Sequence, residues 1–535
     1  MAFSRVTTIG ALIGTLAFAF PKASDYYGPP DPISVPECPP PNAGVPLESF
    51  MSYSIEFSSF PDFAGNLTSP NTFSDNLLSN IAEYAGSKPH IRVGGNTQDF
   101  PFFDESLEVA FVGVFNETLS ADYPTTLTIG PAYFESYLTW PDTKYVHGFN
   151  LGKNSSSFRA SLLKSVPYVC KAMGDGRLLN WELGNEPDLF REQSVRANTW
   201  DESEYVQEWL FWTRAIRAEL EKSCPELGQP EWYAPSFAGT GNNSLDPSTA
   251  WAAGLDEDKN IPIISSHNYI SGATTPGVTL QGTLMNHTSS AESIAKQLNA
   301  SRLLHDLAPG TPFILGEHNS LFRQGRPGLS NTFGAALWAV DFNLLCAANN
   351  IRRVHMHMGT NYRYQSWQPI DTDKDPIGTK APYYGNVAVA AFLGDLTCSA
   401  PSIVNIPLPT ELEAAYAAYE EGELQSMIVI NLNAYNATDY NAEYITGFPR
   451  PVQTYSFDLG VSSAGKEISL QRLIANGSDA ISGITYDGYS YNCELDEGKP
   501  VLLQNVTRGE TVAVDEHGKV SVEVPWSSAV VLKFE

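Results

Sequence analysis

The sequence predicts a (β/α)8 barrel followed by an all-β sandwich, and three observations carry that reading. Between about residue 50 and residue 395, short apolar runs rich in Val, Ile, Tyr and Phe alternate with longer stretches of helical period. Beyond residue 395 the pattern becomes period-two alternation without helices, broken by Gly, Asn, Asp and Pro. Acidic residues also stand at the ends of two of the apolar runs, where the loops of a barrel build its working face.

Eight runs fit barrel strands: Met51–Phe57, His90–Gly95, Tyr145–Leu151, Leu178–Leu183, Trp232–Phe237, Ile261–His267, Pro312–Gly316 and Arg353–Met358. Each is short and rich in apolar residues, as expected of strands in repeated βα units. Amphipathic stretches such as Tyr205–Lys222 and Ala291–Leu307 supply the helices between them. The sandwich, residues 396–535, is read from Gln425–Leu432, Gln453–Leu459, Lys466–Leu473, Ile484–Tyr491 and Lys519–Phe534. The barrel occupies residues 47–395. Residues 24–46, which include the proline-rich stretch Pro29–Pro46, form an N-terminal segment expected to pack with the β-domain.

The first nineteen residues read as a secretory leader: one base, Arg5, precedes the apolar run Ile9–Phe20, with cleavage after Ala19 or Ala23. Asn-x-Ser/Thr sequons at Asn66, Asn116, Asn154, Asn242, Asn286, Asn299, Asn436, Asn476 and Asn505 fit a secreted glycoprotein. Six cysteines would be oxidised in that compartment, and the expected pairs are Cys170 with Cys224 and Cys398 with Cys493. The cysteines are too dispersed for a zinc cluster, and neither a metal nor an organic cofactor is expected.

Sixty acids against 32 bases give a net charge of −28, which repels nucleic acid, anionic membrane and sulfated glycans. A carbohydrate carrying at most one charge is the better partner. The chemistry resides in Asn180-Trp-Glu-Leu-Gly-Asn185-Glu186-Pro187-Asp188, after the fourth run, and Phe313-Ile-Leu-Gly-Glu317-His318-Asn319, on the seventh. A carboxylic acid and a carboxylate facing each other across a barrel mouth are what double-displacement glycoside cleavage requires. Asn185 can donate to a sugar 2-hydroxyl, and Tyr269, in His267-Asn268-Tyr269, can hold Glu317 ionised. Glu56 and the run Arg92 to Asp99, with Asn96 inside it, add polar groups at the ends of strands one and two. Arg92 and His267 fit a direct catalytic role or a structural one equally well, and Trp181, Phe190 and Trp367 fit core or sugar platform.

These residues resemble glycoside hydrolase family 79, the retaining β-glucuronidases and heparanases, in a clan of barrels with the acid/base after strand four and the nucleophile on strand seven. The resemblance runs through Phe50-Met-Ser-Tyr-Ser-Ile-Glu56, Ile91-Arg-Val-Gly-Gly-Asn-Thr-Gln-Asp99-Phe100, Leu183-Gly-Asn-Glu-Pro187, His267-Asn-Tyr269, Leu315-Gly-Glu317 and Tyr383-Tyr384-Gly-Asn. It implies Glu186 as acid/base, Glu317 as nucleophile, Glu56 as acceptor of a sugar hydroxyl and Tyr383 or Tyr384 as donor to a glucuronate carboxylate. The charge of −28 without a basic cluster argues against endo-cleavage of a sulfated polyanion and for exo-action on terminal glucuronate or its 4-O-methyl form, and the resemblance implies plant arabinogalactan side chains as the target. One departure stands out: where the family often has Tyr-Gly-Gly after the nucleophile, this chain has Leu321-Phe322-Arg323-Gln324-Gly325, and Arg323 or Arg326 fits a compensating grip on the carboxylate or a solvated loop charge equally well. A clan relative acting on neutral β-glucosides or xylosides, and a non-catalytic glycan-binding barrel, are the alternatives.

Overall fold

The computed structural model describes residues 31–239, 245–438 and 448–534; the expected leader and the Asn242 sequon lie outside the described residues. Eight parallel strands close a barrel in chain order: Met51–Glu56, Ile91–Gly94, Tyr145–Phe149, Leu178–Leu183, Trp232–Phe237, Ile263–Gly272, Phe313–Phe322 and Val354–Met358. Each falls on one of the eight predicted runs. The sixth and seventh are longer than predicted, at ten residues each, and stay paired as far as Gly272 and Phe322. Glu317 therefore stands in the middle of its strand rather than at its end. The extension escapes a hydropathy reading because Asn268, Ser271, His318, Asn319 and Ser320 interrupt its apolar residues.

Side-chain caps start the surrounding helices: Asn71 caps Thr72–Ala85, Ser155 caps Ser156–Ala172, Asp201 caps Glu202–Ser223 and Asn286 caps His287–Leu307. Two helices, Phe333–Ala348 and Ala381–Leu393, are buried on every side because the β-domain lies over their outer faces.

That domain has one large antiparallel sheet, in which Ser402–Ile406, Glu413–Glu420, Glu423–Asn431, Ser528–Phe534 and Glu467–Ile474 are successive neighbours. Its second sheet joins Val452–Asp458, Lys519–Pro525 and the N-terminal strand Ile33–Ser34, which pairs parallel with Val452–Asp458. Val35 accordingly enters the core between the two sheets with Met427, Phe457 and Leu532. The other face of the large sheet, with Tyr416, Ile428 and Ile430, packs into the barrel's core. The predicted run Lys519–Phe534 is two strands, Lys519–Pro525 and Ser528–Phe534, placed in different sheets.

A disulfide joins Cys170 to Cys224 and so ties the helix Ser156–Ala172 to the C-terminal end of Glu202–Ser223. The second expected pair does not form: Cys398 is exposed beyond the last barrel helix, whereas Cys493 opens the short helix Cys493–Asp496, and both are free thiols. Among the described residues no helix is long and apolar enough to cross a membrane.

Candidate active site

The polar residues converge at the C-terminal ends of the barrel strands around Arg92, which is fully buried in strand two. Its guanidinium donates from Nη1 to Glu317 Oε2 (2.6 Å) and Ser54 Oγ (3.0 Å), from Nε to Glu182 Oε2 (2.9 Å) and from Nη2 to Asn185 Oδ1 (2.9 Å). Glu182 is also buried and accepts from Ser236 Oγ at 2.6 Å. One cation thus serves two buried carboxylates, which raises its own pKa and compensates charges that would otherwise be strongly disfavoured in the interior.

Glu317 receives a second strong bond, 2.7 Å from Tyr269 OH, and His357 Nδ1 lies 3.6 Å from its Oε2. Burial alone would raise this carboxyl, but the charges of His357, His267 and Arg92 and the bond from Tyr269 outweigh burial and hold it well below the usual range. Glu186 follows the opposite logic. Burial, then the Glu317 charge, push its carboxyl up to about 8, with Arg92 and His357 opposing. Its Oε1 lies 3.1 Å from His267 Nδ1, and burial lowers that ring to about 4. Oxygens of Glu186 and Glu317 and a ring nitrogen of His267 lie within 4.8 Å of one another. The spacing belongs with the ~5 Å of double displacement rather than the ~6.5–9.5 Å that leaves room for an inverting water. The same three residues have the spacing of a cation site, but the Arg92 guanidinium already neutralises Glu317 there.

Glu186 is held in a left-handed conformation, φ 52° and ψ 49°, that costs a non-glycine residue about 1–3 kcal/mol. Its N–H donates to Ser236 O at 3.0 Å, and Trp200 Nε1 donates to Pro187 O at 3.0 Å, so neighbouring contacts fix the turn. At Gly95, φ 85°, an added Cβ would meet both Glu56 oxygens and the His357 ring within 3 Å, so the turn after strand two admits only glycine there.

The other expected residues divide. Asn185 is at the site, its Oδ1 oriented by Arg92 and its N–H donated to Asp99 Oδ2 at 2.9 Å. Asn96 lies at the mouth and donates to Tyr123 OH at 3.4 Å, on the loop that carries the small sheet Pro101–Phe103, Phe111–Val114 and Thr126–Ile129. Glu56 is buried, with its oxygens taken by Thr97 N (2.8 Å), Thr97 Oγ1 (2.6 Å) and Tyr362 OH (3.0 Å), and His357 Nε2 is 3.5 Å away. Asp99 is corrected from sugar contact to internal acceptor, since both its oxygens face main-chain N–H groups.

Tyr383 and Tyr384 are also corrected. They lie inside the buried helix Ala381–Leu393, where Tyr383 OH donates to Leu77 O at 2.8 Å and Tyr384 OH to Asn492 Oδ1 at 2.8 Å. Neither phenol is available to a sugar. Arg323 is exposed on the turn beyond strand seven at φ 65° and makes no hydrogen bond among the described residues, and Arg326 donates to Val278 O. Trp181 and Trp367 are fully buried, and Phe190 is nearly so; all three belong to the core.

Residues 415–531 match the model of the glycosyl hydrolase family 79 C-terminal beta domain. A β-glucuronidase of Aspergillus niger is 52% identical over 539 residues, covering 98% of this chain and 99% of that protein. The chain belongs to glycoside hydrolase family 79. A β-glucuronidase of Neurospora crassa is 51% identical over 508 residues, with 89% of this chain and 90% of that protein covered. Among solved structures, a 4-O-α-L-rhamnosyl-β-D-glucuronidase of Fusarium oxysporum superposes with a TM-score of 0.75 at 24% identity, over 94% of this chain and 99% of that one. That likeness speaks to the fold.

In this family 79 hydrolase, sequence reading misses Glu182, His357, Tyr123, Tyr362 and Tyr364. Tyr364 is buried and packs 6.1 Å from the Tyr269 ring and 6.2 Å from His357, which places it beside Glu317. His357 spans Glu56 and Glu317; burial would lower its pKa, but the Glu317 charge and the Glu56 contact raise it overall. A charged residue within an otherwise apolar run was the available signal for Glu182 and His357.

Proposed function

We propose that the chain is a secreted retaining exo-β-glucuronidase that removes terminal β-linked glucuronate, with or without a 4-O-methyl group, from glycans. The observation that carries this reading is near-full-length identity of 52% to a fungal β-glucuronidase. The opposed electrostatics of Glu186 and Glu317 support the mechanism. Glu317 attacks the anomeric carbon while Glu186 protonates the departing oxygen; Glu186 then takes a proton from water, which cleaves the glycosyl ester. Asn185, with its Oδ1 held by Arg92, presents its amide N–H to the sugar 2-hydroxyl. The net charge of −28 favours exo-action over gripping a sulfated polyanion. Secretion is supported by the apolar leader, the scattered sequons and the Cys170–Cys224 bond.

The test is hydrolysis of p-nitrophenyl β-glucuronide against the matching β-glucoside and β-xyloside. Preference for the glucuronide is expected; activity confined to a neutral glycoside would overturn the substrate assignment. The pH dependence of kcat/KM follows from the same pair. Glu317 stays ionised throughout mild acid, and Glu186 keeps its proton until about pH 8. Activity is therefore expected to be high in mild acid and to fall as pH rises through about 8; an optimum above about pH 8 would contradict the assignment.

A further inference from the structure

We propose that Asp99 is a positioning residue for Glu186, tying the turn after strand two to the loops after strands three and four and so fixing the backbone from which the acid projects. This rests on the reading of Glu186 as acid/base. The Asp99 carboxylate accepts three main-chain N–H groups: Leu151 (2.8 Å) and Gly152 (3.0 Å) at Oδ1, and Asn185 (2.9 Å) at Oδ2. The carbonyls of the same strand-three loop point to two cations. Arg159 donates to Asn150 O (2.7 Å) and Leu151 O (2.8 Å), and Arg196 to Leu151 O (2.8 Å) and Gly152 O (2.8 Å), with Glu208 bridging both guanidiniums. The peptide dipoles of residues 150–152 are thus aligned between an anion and a cation pair, which leaves that loop one arrangement. Asp99 then passes the constraint to Asn185, the residue before Glu186.

The local fit is close: a Cβ on Gly152 would stand 2.8 Å from Asp99 Cβ. A left-handed residue such as Glu186 persists only where its surroundings over-determine it, and the Asn185 bond is one of those that fix that turn. An Asp99→Asn side chain keeps the volume but turns an NH2 group toward one of the three N–H donors, so at least one bond becomes a donor–donor contact.

The experiment compares kcat/KM of full-length Asp99→Asn on phenyl β-glucuronide, whose leaving group needs protonation, and on 2,4-dinitrophenyl β-glucuronide, whose leaving group does not. Glu186→Ala is the reference. Asp99→Asn is expected to lose about tenfold to a hundredfold on the phenyl substrate and under about threefold on the dinitrophenyl one, because a small misplacement of the acid matters only where the acid is used. Both rates come from one preparation, so their ratio does not depend on the fraction folded. Equal losses on the two substrates would overturn the proposal. Failure of Glu186→Ala itself to separate them would overturn the reading of Glu186 on which it rests.

Discussion

Glu317→Gln is expected to lower kcat on p-nitrophenyl β-glucuronide by at least about 10⁴-fold, equivalent to about 5.4 kcal/mol of barrier at ~1.36 kcal/mol per decade. The amide has the same shape but cannot form the glycosyl ester. It also offers a single acceptor where Arg92 and Tyr269 each donate to a separate oxygen, so one of those donors meets an NH2 group. Steady-state kinetics alongside a thermal melt separates the chemical loss from any loss of fold. A well-folded variant retaining more than about a tenth of its activity would remove Glu317 from the mechanism.

Arg92→Met carries the largest expected effect on stability. It leaves Glu182 and Glu317 buried without their cation and withdraws a donor from Asn185. Deleting one partner of a buried ion pair costs about 3–5 kcal/mol, and here two carboxylates are left uncompensated. The Glu317 carboxyl would rise, because Arg92 is one of the groups that hold it down. Urea denaturation should show the destabilisation, and the acid limb of the kcat/KM profile should move to higher pH. A midpoint equivalent to under about 0.5 kcal/mol of change, or an acid limb that stays in place, would mean that Arg92 neither stabilises the mouth nor sets the charge of Glu317.

The barrel was legible because eight short apolar-rich runs alternate with stretches of helical period, the pattern of repeated βα units. The limits of that signal are equally physical. The upper halves of strands six and seven, Asn268 to Gly272 and His318 to Phe322, pair with each other but carry Asn268, Ser271, His318, Asn319 and Ser320, so their apolar content understates their length. Glu413–Glu420, Glu-Ala-Ala-Tyr-Ala-Ala-Tyr-Glu, is a strand missed outright. It is buried on both faces, so it shows no alternation, and its alanines and glutamates have little strand preference of their own.

At the site, acids beside apolar runs located Glu186 and Glu317, and the structure brings the two together. Of their environment only part was legible: Tyr269 was expected to hold Glu317 ionised, and it donates to that carboxylate at 2.7 Å. The Arg92–Glu182 pair depends on closure of the barrel, and Tyr123, Tyr362 and Tyr364 arrive on loops whose paths no periodicity encodes. The role of Tyr383 or Tyr384, taken from the family resemblance of Tyr383-Tyr384-Gly-Asn, misled because the whole helix that carries them is buried. Beyond Glu317, Phe322 and Arg323 are exposed.

The most direct test of the central claim is the anomeric configuration of the first-formed sugar, followed by proton NMR while p-nitrophenyl β-glucuronide is cleaved. Two carboxylates this close and this differently charged should give β-glucuronic acid first, with the α-anomer growing only as mutarotation proceeds. Initial release of the α-anomer would mean a single displacement by water and would contradict the assignment of Glu317 as the attacking group.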